Sequence, residues 1–259
     1  MDEGADMYAA ERQQLILDTA RSDGRVDVSA QADALGVTTE TIRRDLTALE
    51  RRGLLRRVHG GAIPVDRLEP ETGVEVRIGL RAEAKRRIAQ RVLEEIPANA
   101  TLLLDAGTTT LAIARALPAN ASLTVITNSL IIGAELAARP GISLLQLGGR
   151  VRPITGAAVG PWPNDSLAGL TVDIGVFGAN GFDVAHGLTT PDHDEAATKR
   201  AMLRASRTTV LASDASKAAR AHLYRFAEIE EIDMVVTDTD IDAELAEQIR
   251  RAGPTVVIA

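Results

Sequence analysis

Apolar and polar positions alternate with two different periods along this chain, and the changeover marks its parts. Leu15, Ile16 and Ala20 fit the inner face of a helix over residues 8–21, and a short helix over 29–35 follows. Gly36 is placed to end that short helix in a left-handed conformation. Thr38 then opens a helix in which Ile42, Leu46 and Leu49 fall at i, i+4 and i+7 and share one inward face. At residues 55–59 the period becomes two, and Gly60-Gly61 supplies the permissive dihedrals of a tight hairpin, with 62–65 as the returning strand. Helix, turn, helix, hairpin is the order of a winged helix-turn-helix, which lays its second helix in the DNA major groove.

Beyond residue 66 the pattern changes again. Residues 67–81 carry no sustained period and are expected to form a linker between a DNA-binding domain over 1–66 and a second domain over 82–259. Ile88, Val92 and Ile96 predict a helix over 82–96, stopped by Pro97. Short apolar strands are then predicted at 102–105, 123–127, 142–147, 173–177, 209–212, 233–236 and 256–259. Between them lie helices near 108–117, 130–139, 195–206 and 242–251. Apolar strands alternating with helices imply an α/β domain with a mainly parallel sheet covered on both faces. Ligands of such sheets gather at the carboxyl ends of the strands.

Composition narrows the class. The chain has 259 residues, 45% of them hydrophobic, which is enough for two folded domains. No apolar run reaches the roughly 18 residues of a membrane span, and the acidic start lacks the apolar stretch of a secretory leader. Without cysteine there are no disulfides or thiolate metal sites, which fits a cytoplasmic protein. Residues 1–6 are acidic and pattern-free and are expected to be disordered. Aromatics at 2% argue against stacking on single-stranded nucleic acid. The formal charge is −7 overall, yet residues 41–60 hold six arginines against Asp45 and Glu50, a local +4. A small basic reading head on an acidic body matches that distribution. There are 26 arginines but only three lysines, Lys85, Lys199 and Lys217.

The candidate chemistry follows from these placements. Opposite the buried stripe, Glu40, Thr41, Arg44, Thr47 and Arg51 face outward, with Thr39 beside the cap and Arg43 at the flank. Thr hydroxyls and Arg forks reach phosphates and base edges. Arg57, His59 and Gly60 lie near the hairpin tip, where sugar-phosphate backbone would pass. Asp45 is expected to orient an arginine, because a carboxylate facing phosphate is repelled. In the second domain, Gly107-Thr108-Thr109 between a strand and a helix start offers backbone N–H groups, hydroxyls and the positive end of a helix dipole to an anion. A plain strand-to-helix turn explains the same tripeptide. Asp105, Asn128, Gly148, Gly149, Asp214 and Lys217 also sit at strand ends. Glu195 and Lys199, one helical turn apart, read by default as a surface ion pair. His186 and His193 with Asp192 and Asp194 match no common metal-site spacing, so neither a metal nor a cofactor is expected.

Thr38, the run Thr41-Ile42-Arg43-Arg44-Asp45-Leu46 and the run Arg57-Val58-His59-Gly60-Gly61-Ala62 together resemble the DeoR family of bacterial transcription regulators. The likeness runs from about residue 7 to residue 237. It implies a second domain resembling ribose-5-phosphate isomerase that senses a phosphorylated sugar. Thr108, Thr109 and Lys217 would then hold phosphate, and Asp105, Asn128 and Asp214 sugar hydroxyls. It also implies a repressor of sugar catabolism bound to a double-stranded operator as a homo-oligomer, dimer or tetramer. Three positions depart from the family pattern: Thr38 replaces Ser, Ala84 stands where Glu is usual, and Ala215 replaces Ser, removing one pocket donor. The competing reading is an isomerase of phosphorylated sugars with an N-terminal assembly module, since fold does not fix function.

Overall fold

The computed structural model describes residues 9–51, 54–58, 60–64 and 71–259. The expectations for residues 1–6 and for His59 lie outside the described residues. The chain divides into two compact units, Met1–Pro70 and Glu71–Ala259.

The first unit contains α1 (Ala9–Asp23), β1 (Val26–Asp27), α2 (Val28–Leu35), α3 (Thr39–Arg51), β2 (Leu55–Val58) and β3 (Gly61–Pro64). Ile42, Leu46 and Leu49 of α3 are buried against Ile16, Leu17 and Ala20 of α1 and Val28 and Ala32 of α2. Leu15, expected inside, is 44% exposed, and Leu17 takes its place. Positions 16, 17 and 20 lie on one face of the helix, and 15 falls outside that arc. Gly36 ends α2 at φ 61°, in the left-handed region. The hairpin is wider than its sequence suggested, because β1 joins it and the sheet order is β1-β3-β2. Gly61 permits this: a Cβ there would sit 1.8 Å from the Val26 carbonyl oxygen.

The second unit begins inside the expected linker. Within residues 67–81 lies a helix, α4 (Val74–Gly79), and Val74 is buried with its N–H donating to the Ile154 carbonyl. There follow α5 (Ala82–Leu93), β4 (Thr101–Leu104), α6 (Thr108–Ala116), β5 (Leu123–Thr127), α7 (Leu130–Leu136) and β6 (Ile142–Gln146). A hairpin, β7 (Arg150–Arg152) and β8 (Ala157–Val159), leads to α8 (Pro161–Ala168) and β9 (Val172–Phe177). Then come β10 (Gly181–Asp183), β11 (Gly187–Thr190), α9 (His193–Ala205), β12 (Ser206–Ala212), β13 (Tyr224–Ala227), β14 (Met234–Thr237), α10 (Ala243–Ala252) and β15 (Thr255–Ile258).

Seven of these strands form one parallel sheet in the order β15-β14-β12-β9-β4-β5-β6. Leu102 and Leu104 point to the α5–α6 side and Leu103 to the α8–α9 side, so β4 reads as an unbroken apolar run. The chain builds outward from β4 through β5 to β6, then returns to the other side of β4 with β9 and builds outward again. The reversal makes the β4/β9 boundary a topological switch point, where a crevice opens outside the carboxyl ends. A small antiparallel sheet, β10-β11-β13, flanks that end.

Candidate functional site

On the first unit, α3 is capped as expected. The Thr38 hydroxyl accepts from the Thr41 N–H at 3.2 Å. Thr39, Arg43, Arg44, Arg51, Arg57 and Gly60 are exposed, and Thr41 and Thr47 are half-buried. The Thr47 hydroxyl donates to the Arg43 carbonyl at 2.8 Å, so its hydrogen is committed inside the helix. Arg43 lies 3.7 Å from Glu40. The side chains of Arg44 and Arg51, on this helix, make no hydrogen bond or ion pair among the described residues. Arg57 is fixed through its backbone N–H, which donates to Glu50 at 2.9 Å. Asp45 is buried and takes the Arg12 Nε at 2.6 Å and the Gln13 amide at 2.9 Å. It orients an arginine, as its sequence position implied, and pins α1 to α3.

On the second unit, a cavity of about 190 Å3 opens at the β4/β9 switch point. Gly107, Thr108 and Thr109 line it from the start of α6, and Asp214 and Lys217 from the loop after β12. These five expected residues converge. Asp105 lies under the cavity, fully buried: it accepts from Lys199 Nζ and from the Gly178 N–H, and its Oδ1 has no hydrogen-bond partner among the described residues. Asp214 caps the turn that follows, accepting from the Ser216 N–H at 3.1 Å.

Three expected residues are not brought there. Asn128 is wholly buried and spent on backbone, accepting from the Ala106 N–H at 3.0 Å and donating to the Ala158 carbonyl at 3.2 Å. It braces the end of β4 against β8 rather than facing a ligand. Gly148 and Gly149 follow β6, the edge strand two places from β4, and do not line the cavity. Gly149, at φ 144°, instead passes close to Pro163.

The cavity wall also holds residues that sequence reasoning did not select. Arg77 and Arg81 come from and just after α4, Lys85 from α5, Asn180 from the turn after β9, and Glu195 and Lys199 from α9. Glu195 and Lys199 are 3% and 2% exposed, so the expected surface ion pair is a buried one, with 3.8 Å between the charged groups. Burial pushes the Glu195 carboxyl above the usual carboxylate range, against the pull of Lys199 and Arg152. Lys85 Nζ donates to the carbonyls of Arg77 at 2.5 Å and Leu80 at 2.7 Å. Burial pushes its ammonium down to about 8, against the opposing effect of Asp214. Arg77 Nε is buried with no hydrogen-bond partner among the described residues. Five cationic side chains line the cavity against two carboxylates, Glu195 and Asp214. One signal was available beforehand: all three lysines of this arginine-rich chain line one cavity. Among the described residues no cluster of His, Asp or Glu is arranged to hold a metal, and no helix is long and apolar enough to cross a membrane.

One unit carries a helix-turn-helix with an arginine-bearing outer face and the other a cavity lined by five cationic side chains, a combination that fits the ligand-responsive, DNA-binding transcription regulators. Within that class the chain belongs to the DeoR family. The DeoR-like helix-turn-helix domain matches residues 12–67 and the DeoR C terminal sensor domain residues 80–239. The chain is 40% identical over 252 residues to the HTH-type transcriptional regulator GlpR of Haloferax volcanii, covering 97% of this chain and 98% of that one. It is 33% identical over 233 residues to the Glycerol-3-phosphate regulon repressor of Escherichia coli, covering 90% and 92%. It is 32% identical over 251 residues to a Putative aga operon transcriptional repressor of the same species, covering 96% and 93%. These relatives are regulators, which sets the isomerase reading aside. A ribose 5-phosphate isomerase from Methanocaldococcus jannaschii aligns over 54% of this chain and 55% of its own, at 16% identity and a TM-score of 0.40.

Proposed function

We propose that this regulator is a repressor of carbohydrate-use genes, acting in the cytoplasm, whose grip on its operator is weakened by a small phosphorylated sugar or polyol. The observation that carries the reading is the cavity. A helix start with two Thr hydroxyls and all three lysines line one cavity at the switch point, and Arg77 of its wall has a buried Nε with no hydrogen-bond partner among the described residues. A dianionic phosphate satisfies that set, with its oxygens toward Gly107–Thr109 and Lys217. Asn180 and Glu195 across the space offer an amide and a carboxyl to hydroxyl groups. The volume is below the roughly 300–1,000 Å3 of pockets that take drug-sized ligands, which favours a few-carbon monophosphate over a nucleotide. Two of the relatives are repressors by name, one of them of a glycerol-3-phosphate regulon.

On the DNA side, Thr39, Arg43, Arg44 and Arg51 of α3 enter the major groove, with Thr38, Thr41 and Thr47 shaping the helix start and its flank. Arg57, His59 and Gly60 follow the backbone from the hairpin. Two copies place two such helices on half-sites about one helical turn apart or a multiple of it. The test is retention of the gene's own upstream fragment at fixed salt, titrated with fructose 1-phosphate, glycerol 3-phosphate and other sugar phosphates. At least one is expected to release the fragment, and Lys217→Ala to abolish that response while basal binding stays. A wild-type chain that retains no upstream fragment at low salt refutes the reading.

A further inference from the structure

The chain arriving from the DNA-binding unit enters the sensor at Glu71. A glutamate in a connection between units is ordinarily solvated, yet the Glu71 side chain is only 9% exposed. One of its oxygens takes Arg152 Nη2 at 2.8 Å and the other lies 3.5 Å from Asn180 Nδ2. Arg152, 11% exposed, does not serve Glu71 alone. Its Nε lies 3.2 Å from Asp192, the residue that caps α9, and its Nη1 donates to Glu195. Asn180 and Glu195 are both cavity wall. So each of the two groups that hold Glu71 is bonded to, or part of, the surface a ligand would touch.

The electrostatics make this arrangement responsive. Three carboxylates, Glu71, Asp192 and Glu195, share one guanidinium, each on its own nitrogen, so a single positive charge is divided among them. Glu195 has its own second cation, Lys199, at 3.8 Å. A ligand hydroxyl that engages Asn180 removes the weaker tie on Glu71. A ligand that changes the company of Glu195 changes what Arg152 has left for Glu71. Any differential interaction of this kind is by linkage a coupling between cavity and incoming chain.

We propose that Arg152 and Glu71 form the clasp through which occupancy of the cavity is passed to the segment leading to the DNA-binding unit. Arg152 is thus a positioning residue, acting through Glu71 and not through contact with DNA. The inference rests on the cavity being the effector site. In the ligand-free protein the clasp is closed and holds the start of the sensor, including α4; a bound ligand loosens it.

The test uses the full chain and two variants, Glu71→Gln, which keeps size and hydrogen bonding but removes the charge, and Arg152→Lys, which keeps the charge but loses the fork. Hydrogen exchange over residues 71–81 is measured without ligand, with inorganic phosphate and with fructose 1-phosphate. Phosphate affinity is measured by calorimetry, and operator retention with and without fructose 1-phosphate and glycerol 3-phosphate. In Glu71→Gln, exchange over 71–81 is expected to rise about tenfold without ligand, while peptides from β4 and β9 stay as in the wild type. Phosphate affinity is expected to stay within about threefold, and the ratio of operator affinities without and with effector to fall toward one. That ratio is typically about 5–150 in coupled systems, so its collapse is readable. Unchanged exchange over 71–81 in both variants overturns the proposal. So does a loss of phosphate affinity in step with exchange, because the pair would then be only part of the cavity wall. If no sugar phosphate alters operator binding by the wild type, the effector assignment fails, and the exchange comparison still decides whether the clasp exists.

Discussion

Replacing Lys85 by Met perturbs the cavity at a cation whose charge the fold disfavours. Its ordinary value of 10.5 falls to about 8, a change worth about 3 kcal/mol between the charged and neutral forms. At pH 7 Lys85 is charged in both the folded and the unfolded chain, so the empty fold bears that full penalty. Between pH 8 and 10.5 the folded chain has lost the proton and the unfolded chain still binds it. Stability therefore rises with pH through this window, by about 3 kcal/mol in all. Lys85→Met removes the rise. At pH 7 it relieves the penalty but strips the carbonyls of Arg77 and Leu80 of their donor, at about 1–3 kcal/mol each. The variant is thus expected to lie at pH 7 between about 1 kcal/mol more stable and about 3 kcal/mol less stable than the wild type. Ligand binding responds in the opposite direction. A phosphate restores a favourable setting for the charge, so wild-type affinity for inorganic phosphate is expected to fall as pH rises above about 8. The variant is expected to bind more weakly at pH 7 by roughly 10- to 100-fold, the worth of one hydrogen bond to a charged group, with a flat profile above 8. The measurements are urea unfolding of the sensor unit at pH 7 and 10 and phosphate calorimetry across the same range. The window is favourable because the chain has two other lysines, two tyrosines and no cysteine to titrate in it. A wild-type minus variant stability difference that does not change between pH 7 and 10 refutes the reasoning.

Three further outcomes follow from the geometry. Arg44→Ala is expected to lower specific operator affinity by about 1–3 kcal/mol if the guanidinium reads a base, or to reduce the salt slope by about one if it meets a phosphate; unchanged binding in a salt titration counts against α3 as the reading helix. Gly61→Ala drives a Cβ to within 1.8 Å of the Val26 carbonyl oxygen and is expected to destabilise the DNA-binding unit by roughly 1–3 kcal/mol. Operator binding should fall with it while phosphate calorimetry stays as in the wild type. Asp105→Asn breaks a buried pair and is expected to destabilise the sensor by about 3–5 kcal/mol, with much of the loss recovered when Lys199→Met is added; simple additivity of the two changes in a double-mutant cycle would show that the residues do not depend on each other.

What the sequence made legible was whatever depends on local periodicity. Ile42, Leu46 and Leu49 set the face of α3, and the opposite face is then arithmetic. The parallel sheet was readable because buried strands are short apolar runs between turn signals. The hidden features all depend on partners far along the chain. Six residues, Val74–Gly79, with branched Val74, Val76 and Ile78 among them, give little intrinsic helix signal. They are ordered as α4 by the Ile154 carbonyl and by Lys85. Glu195 and Lys199 have the same spacing on a solvated helix as in a core, and only Asp105, 94 positions earlier, distinguishes the two cases. Strand ends looked alike in sequence, so Asn128, Gly148 and Gly149 carried the same weight as Asp105 and Gly107. Strand order separates them, because a crevice forms only where successive connections diverge, between β4 and β9. Lysine usage carried part of that missing long-range information. Where arginine serves almost every exposed cationic position, a retained ammonium marks a place that needs a compact charge whose protonation can shift. Lys85, held at the edge of losing its proton, is that kind of place, and it closes α4 onto the cavity. The same lysine that lines the cavity therefore holds the helix that follows Glu71. A ligand drawing on Lys85 and one drawing on Arg152 act on a single short segment from its two ends.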